Sequence, residues 1–320
     1  MRIGIHPKPA GRSKASASGR KSVLQGPAKL QKTRIRKVLS SVRTPGPVRP
    51  SGRTTGRSSR KTTWIRPALN RKLSVIISAC NEETTLGAVL KEAERLKPEE
   101  IIVVLNGCVD NSFRRARKSG MATIVHCPEA AGHDIGRAIG AKLSRGDILL
   151  FLDGDMAIPA PELYPFAAAV DQGADVALNN LNPLLPVFGE CDDVTRCKMF
   201  LNTALGREDL GSGSMTAVPH ALSRRALELI GPQTLAVPPK AQAAAIMQKL
   251  SVKAAGTVNV IKRNRIRKGN TGAGNGVEQL IIGDHAEALA EGFARGETGL
   301  LWRESGTDSR RLLAAWRNGI

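Results

Sequence analysis

The chain has 320 residues, enough for one large domain or two small ones with a sizeable buried core. Its formal charge of +20 sits at one end: residues 1–72 hold 20 of the 48 Lys and Arg and none of the 28 Asp and Glu, so the remainder is balanced. An apolar run of about 18 residues to span a bilayer is missing, as is the apolar stretch of roughly 7–15 residues that an export signal carries after a cationic start. Together these exclude an integral membrane or secreted protein and predict a cytoplasmic one.

Residues 1–71 are rich in Gly, Pro, Ser and Thr and poor in core-forming side chains, a composition that does not offset the entropy of ordering the chain. They read as a disordered basic arm. Such an arm adheres to a polyanion or an anionic membrane surface, where the protein would rest peripherally, or is a solvated tail without a dedicated partner. From residue 72 the texture changes. Residues 73–79 are a short β-branched run that predicts a strand buried on both faces. Thr84 then caps a helix whose stripe is Leu86, Val89, Leu90, Ala93 and Leu96, closed by Pro98. Residues 101–105 form a second strand, 114–118 a polar basic helix, 123–126 a third strand, 135–143 a helix stopped by Gly146, and 148–152 a fourth strand. Strands alternating with helices in this way predict an α/β fold with a mainly parallel sheet flanked by helices.

Beyond Pro159 the pattern weakens. Helices are expected near 161–171, 193–205, 222–230, 241–250 and 284–295, with strands at 175–179 and 257–261. Residues 262–268 are a basic loop running into a Gly-rich one. The five cysteines (Cys80, Cys108, Cys127, Cys191, Cys197) show no C-x-x-C spacing and are odd in number, so neither disulfides nor a zinc site is expected.

In parallel sheets ligands bind outside the carboxyl ends of the strands. Four polar clusters fall there: 80–83, 106–111, 132–137 and 153–155. Asp153-Gly154-Asp155 is the most pointed. Two carboxylates one residue apart at a strand end can divide work between a ribose hydroxyl and a hard divalent ion that bridges phosphates; the plain alternative is a capped turn. Asn81-Glu82-Glu83 either contacts a base or ribose or starts a helix with favourable acidic residues. The 106–111 loop has a similar turn alternative.

These segments, Ser74 to Glu83, Asn106 to Ser112 and Gly146 to Asp155, resemble the successive motifs of family 2 glycosyltransferases of the GT-A fold, in order and spacing, across about residues 72–156. The resemblance implies a Rossmann-like GT-A domain over 72–320, with 72–158 the nucleotide-sugar-binding half and 159–320 the acceptor-side half. It implies a nucleoside-diphosphate sugar donor, an acceptor it does not identify, and Mn²⁺ or Mg²⁺. The first loop, with Ser78, Cys80, Asn81 and Glu82, and the second, with Asn106 and Asp110, would hold the nucleotide. Asp153 would sit near ribose or sugar and Asp155 on the metal. Asp134 and Arg137, one helical turn apart, would take sugar hydroxyls and phosphate, or form an exposed pair. Metal-dependent members often add a late histidine, which His285 matches; it is equally read as structural. Arg263 and Arg265 would close over the diphosphate, or belong to a solvated loop.

The chain departs from the family in three places. Cys80 stands where an aromatic residue often stacks on the base. Leu105 and Asn106 stand where two aspartates usually end the second strand, although an amide still pairs with a base edge. No Asp or Glu lies between Leu229 and Val277, where inverting members carry their general base. Glu208 and Asp209 would substitute as catalytic base, or the reaction retains configuration and needs none. Two rivals are a sugar-phosphate nucleotidyltransferase, which would want an Arg- and Lys-bearing phosphate loop absent from 78–83, and a polyanion-binding protein that uses the arm with a non-catalytic scaffold. The scarcity of aromatics (three Trp, one Tyr, six Phe) speaks against base-stacking recognition.

Overall fold

The computed structural model describes residues 64–263 and 275–294. The elements are β1 (Leu73–Ala79), α1 (Leu86–Arg95), β2 (Glu100–Asn106), α2 (Ser112–Ala116), β3 (Ala122–Cys127), α3 (Ile135–Leu143), β4 (Ile148–Asp153), α4 (Ala160–Asp171), β5 (Val176–Asn179), α5 (Asp193–Ala204), β6 (His220–Ser223), α6 (Arg224–Ile230), α7 (Pro238–Met247), β7 (Val252–Gly256), α8 (Val260–Arg263) and α9 (Gly276–Ala294). The strands form a single sheet of order β3-β2-β1-β4-β6-β5-β7. All neighbours are parallel except β6, which runs antiparallel between β4 and β5.

Alternate residues of β1 enter different layers, as strand geometry dictates. Val75 and Ile77 pack with the α1 stripe and α4; Ile76 packs with Leu149, Phe151 and α7 on the other face. Both faces are covered, which is why β1, β2 and β4 read as continuous apolar runs. Among the described residues no helix is long and apolar enough to cross a membrane. All five cysteines are free.

Several expectations are corrected. Residues 64–71, counted above with the arm, pack on the domain: Trp64 meets Tyr164 edge-on at 6.2 Å, and the backbone N–H groups of Asn70 and Arg71 donate to the Asp171 carboxylate. Residues 1–63 lie outside the described residues, and with them most of the expected arm. Helix α1 starts at Leu86, and Thr84 does not cap it; Thr85 is the N-cap residue, and its hydroxyl turns to Gly154 instead. Residues 220–223, half of them read as helix, are β6: the four-residue strand fills the edge of β4, with Phe151 opposite His220, and Ser223 then caps α6 through the Ala226 N–H. The last strand is Val252–Gly256, not 257–261. Backbone pairing between β5 and β7 ends with the Asn180 N–H on the Gly256 carbonyl; the Asn179 amide then takes both the N–H and the carbonyl of Val258, and residues 260–263 turn into α8. Helix α9 begins eight residues before the expected start.

Candidate active site

Parallel pairing of β1 with β4 sets Ser78 opposite Asp153 at the carboxyl edge of the sheet. The turn that follows is held on both sides: the Gly154 N–H donates to the Ser78 carbonyl at 2.8 Å, and the Thr85 hydroxyl donates to the Gly154 carbonyl at 2.8 Å. A Cβ on Gly154 would lie 2.6 Å from the Ala79 Cβ. Glycine is therefore what allows the turn to sit flat on the end of β1, with Asp153 and Asp155 on either side.

Arg137, on the first turn of α3, reaches under this edge. Its side chain is 6% exposed, 3.2 Å from the Asp134 carboxylate and 3.4 Å from that of Asp153; it also donates to the Met215 carbonyl at 3.0 Å. Burial alone would lower its pKa, but Asp134 and Asp153 outweigh it and raise it, so the guanidinium stays charged. This corrects one expectation. Arg137 and Asp134 are not an exposed pair: the guanidinium is buried and bridges Asp134 to Asp153. Gly136 gives the bridge room, since a Cβ there would sit 2.7 Å from Ser78 Oγ, a buried hydroxyl without a partner.

The loops after β1 and β2 are stitched together. The Val109 N–H donates to Asn81 Oδ1, which sits at φ 59°; the Glu83 N–H donates to Asp110; the Asn111 amide and N–H donate to Glu83. Burial would raise the Asp110 pKa, but the hydrogen bonds from Ser112 and the backbone win and lower it. Glu82 is buried, accepting from the Thr85 hydroxyl, and its own N–H meets Ser112. Asn106 donates to the Gly132 carbonyl and accepts from the Ala131 N–H. Glu82, Asn106 and Asp110 therefore shape the loops, whereas Cys80 and Asn81 are exposed at their edge.

A cavity of about 560 Å³ opens beside Asp153 and Asp155, bounded by Ser212, Thr216, residues of α5 and the segment before it, and Val260 and Ile261 of α8. Sequence reasoning missed three of its charged residues: Glu190, Asp192 and Lys198. Asp192 caps α5 through the Thr195 N–H at 2.7 Å, and Thr195 and Lys198 follow at helical spacing, a signal that the sequence carried. Burial of its ammonium lowers the Lys198 pKa to about 8, with Asp192 raising it and Arg137 lowering it.

The oxygen donors suit a hard divalent ion. Mg²⁺ commonly takes one or two carboxylates and fills its shell with water and substrate phosphate, and Asp155, with Asp153 beside it, supplies that set. Among the described residues no three His, Cys, Asp or Glu side chains converge to hold a metal. His285 is thus not gathered into a metal set with the two aspartates. It is 1% exposed in α9, its Nδ1 2.7 Å from the Ile281 carbonyl, and burial lowers its pKa to about 4, with Lys198 adding to the effect. His220 is likewise buried, stacked on Phe151 at 4.9 Å, with its pKa lowered to about 3 by burial and Arg137.

Glu208 and Asp209 are not at this edge. Asp209 is held by Arg207 through two hydrogen bonds of 2.8 and 2.7 Å, which lower its pKa, and Arg207 also donates to the Val252 carbonyl at the start of β7, the opposite edge of the sheet from Asp153. Neither carboxylate lines the cavity. Arg263 ends α8, and Arg265 lies outside the described residues.

Residues 74–215 match the model of Glycosyl transferase family 2. Glucosyl-3-phosphoglycerate synthase of Mycobacterium tuberculosis (strain ATCC 25618 / H37Rv) is 30% identical over 136 residues, which cover 36% of this chain and 41% of that protein. The crystal structure of glucosyl-3-phosphoglycerate synthase from Mycobacterium tuberculosis in complex with UDP superposes with a TM-score of 0.50 at 18% identity, covering 71% of this chain and 87% of that one. The complex of that synthase with Mn²⁺, UDP and glucosyl-3-phosphoglycerate has a TM-score of 0.49 at 19% identity, over 72% and 86%. The sheet and its helices thus have the GT-A arrangement.

Proposed function

From the match of residues 74–215 to the model of Glycosyl transferase family 2, we propose that the chain is a member of that family and transfers a sugar, first of all glucose, from a uridine diphosphate donor to a hydroxyl acceptor in the cavity beside Asp153 and Asp155. The observation that carries this reading is the clamped turn at the end of β4. Two carboxylates are fixed there by the Gly154 packing and by Arg137, facing a cavity of substrate size.

In this reading Asp155 holds Mn²⁺ or Mg²⁺, which supplies positive charge against the departing diphosphate when bound. Asp153, aligned by Arg137, contacts ribose or sugar. The loops bearing Cys80, Asn81 and Asn106 frame the nucleotide, with Glu82 and Asp110 bracing them; Asp134 holds Arg137, and Ser78 is assigned to the donor. Arg263 and Arg265 are assigned to the diphosphate. The C1–oxygen bond to the diphosphate breaks with its electron pair leaving on UDP, the acceptor oxygen bonds to C1, and the hydroxyl proton passes to a diphosphate oxygen or to solvent. Glu208 and Asp209 have no part in it, which favours the route that needs no carboxylate base from that segment. His285 serves as a buried neutral imidazole. We assign the protein to the cytoplasm and residues 1–63 to contact with polyanions.

The test is a thermal-shift panel of UDP-, GDP-, ADP- and dTDP-glucose with and without Mn²⁺. At 100 times Kd a donor stabilises by about 2.7 kcal/mol, a shift of about 5–11 °C for a domain of this size. UDP-glucose with Mn²⁺ is expected to give it. If no donor shifts the transition with any metal, the reading fails.

A further inference from the structure

Next in the chain to residues that line the cavity, two apolar side chains face solvent. Val187 and Phe188 are 71% and 63% exposed, yet their backbone is held from within. Cys191 Sγ donates to the carbonyls of Pro186 and Val187 at 3.6 and 3.7 Å, and Arg196 donates to those of Phe188 and Gly189 at 3.5 and 2.8 Å. The two side chains are thus presented to solvent by a loop that is itself tied down. On either side in the chain, Leu184, Leu185 and Pro186 and then Glu190 line the cavity. Exposed apolar side chains contiguous with an apolar cavity mark a ligand-binding surface rather than the scattered hydrophobes of an ordinary exterior.

The charges point the same way. Once Asp153 and Asp155 are assigned to donor and metal, the described residues lining the cavity carry one cation, Lys198, against Glu190 and Asp192. Among these described residues, an acceptor with a phosphate and a carboxylate, such as phosphoglycerate, finds one cation against two carboxylates and an apolar wall. A neutral head with an apolar tail fits both.

We propose, resting on the glycosyltransferase reading, that the acceptor is a hydroxyl-bearing amphiphile, its hydroxyl beside Asp153 and Asp155 and its tail leaving over Leu184, Val187 and Phe188. The bond made is from sugar C1 to the amphiphile's hydroxyl oxygen, with UDP as the leaving group. This surface selects the acceptor by its tail.

The experiment measures glucose transfer from UDP-glucose with Mn²⁺ to two series, monobutanoyl- and monooctanoylglycerol and butyl and octyl glucoside, with 3-phosphoglycerate alongside and donor binding measured in the same samples. A buried methylene corresponds to a factor of up to ~4, so four added methylenes should lower KM at least tenfold in one series or both. Val187→Ser with Phe188→Ser should erase that dependence on tail length, and the conservative Phe188→Leu should keep it. Both positions are exposed, so folding is not at stake. If donor binds but no amphiphile accepts, if KM ignores tail length, or if 3-phosphoglycerate is the better acceptor, the proposal is overturned while the transferase reading stands. If no donor binds, both fall.

Discussion

Gly154→Ala is the substitution whose effect the structure specifies most closely. The new methyl would begin 2.6 Å from the Ala79 Cβ and 3.3 Å from the Ser78 carbonyl oxygen. Carbon atoms rest at about 3.5–4.0 Å, so the turn must lift by about 1 Å. Ala79 cannot yield, because it is 5% exposed at the end of a central strand. Overpacking of this kind costs about 1–3 kcal/mol. The larger consequence is functional: lifting the turn moves Asp153 away from Arg137, already 3.4 Å distant, and moves Asp155 with it. A misplacement of ~1 Å can cost about 10²-fold in rate. Steady-state transfer from UDP-glucose should show kcat/KM reduced by that order, with far-UV circular dichroism unchanged and the Mn²⁺ requirement shifted to higher concentration. Wild-type kcat/KM in a folded Gly154→Ala protein would refute the claim that this turn is the site.

Three further outcomes are expected. Arg137→Gln leaves Asp134 nearly buried and uncompensated; breaking such a pair costs about 3–5 kcal/mol, and the lower end applies because Asp153 is a third exposed. Urea denaturation should show about 3 kcal/mol lost, and adding Asp134→Asn should restore part of it; no recovery would mean the charge is not what the variant exposes. Second, His285 and His220 have folded pKa values near 4 and 3, below their ordinary 6.5. The unfolded chain therefore binds more protons below pH 6.5, and stability falls as pH drops through 6.5 towards those values, by up to about 1.4 kcal/mol per pH unit for each histidine. Between pH 6.5 and 5 denaturation midpoints should decline, and His285→Gln should reduce the slope; a flat profile contradicts the burial argument. Third, Asp209→Asn should cost stability of under about 1 kcal/mol, since Asp209 itself is exposed, and leave kcat within twofold; a large kcat loss would return Asp209 to the chemistry.

The first half of the fold was legible because burial on both faces writes itself as unbroken β-branched runs, and β1 to β4 fall within a residue or two of the expected bounds. The carboxyl-edge placement of the polar loops followed from that. Strand β6 was not legible: His220 to Ser223 are four residues with no alternation, and their extended form is imposed by the open edge of β4. Residues 257–261 carry the β-branched composition of a strand, but a side chain, Asn179, took the pairing that a backbone would have made. Asp134 and Arg137 were pointed to by the family resemblance, yet their pairing inside the fold depends on Asp153 arriving from another strand, which no local pattern records. The same holds for Glu208 and Asp209, which the missing downstream carboxylate brought forward and whose tie through Arg207 to the start of β7 no local pattern records. Asp192 and Lys198 were within reach of sequence reasoning, as an N-cap and a cation six residues on, and were passed over because the second half was read by family pattern.

The account stands on Asp153-Gly154-Asp155 as a metal-dependent donor site, and isothermal titration of UDP-glucose into the wild type and Asp155→Asn, each with and without Mn²⁺, tests that directly. The wild type should bind the donor with Mn²⁺ and at least tenfold more weakly without it, and Asp155→Asn should bind equally weakly in both conditions. Donor binding by Asp155→Asn that still strengthens with Mn²⁺ as in the wild type would contradict it.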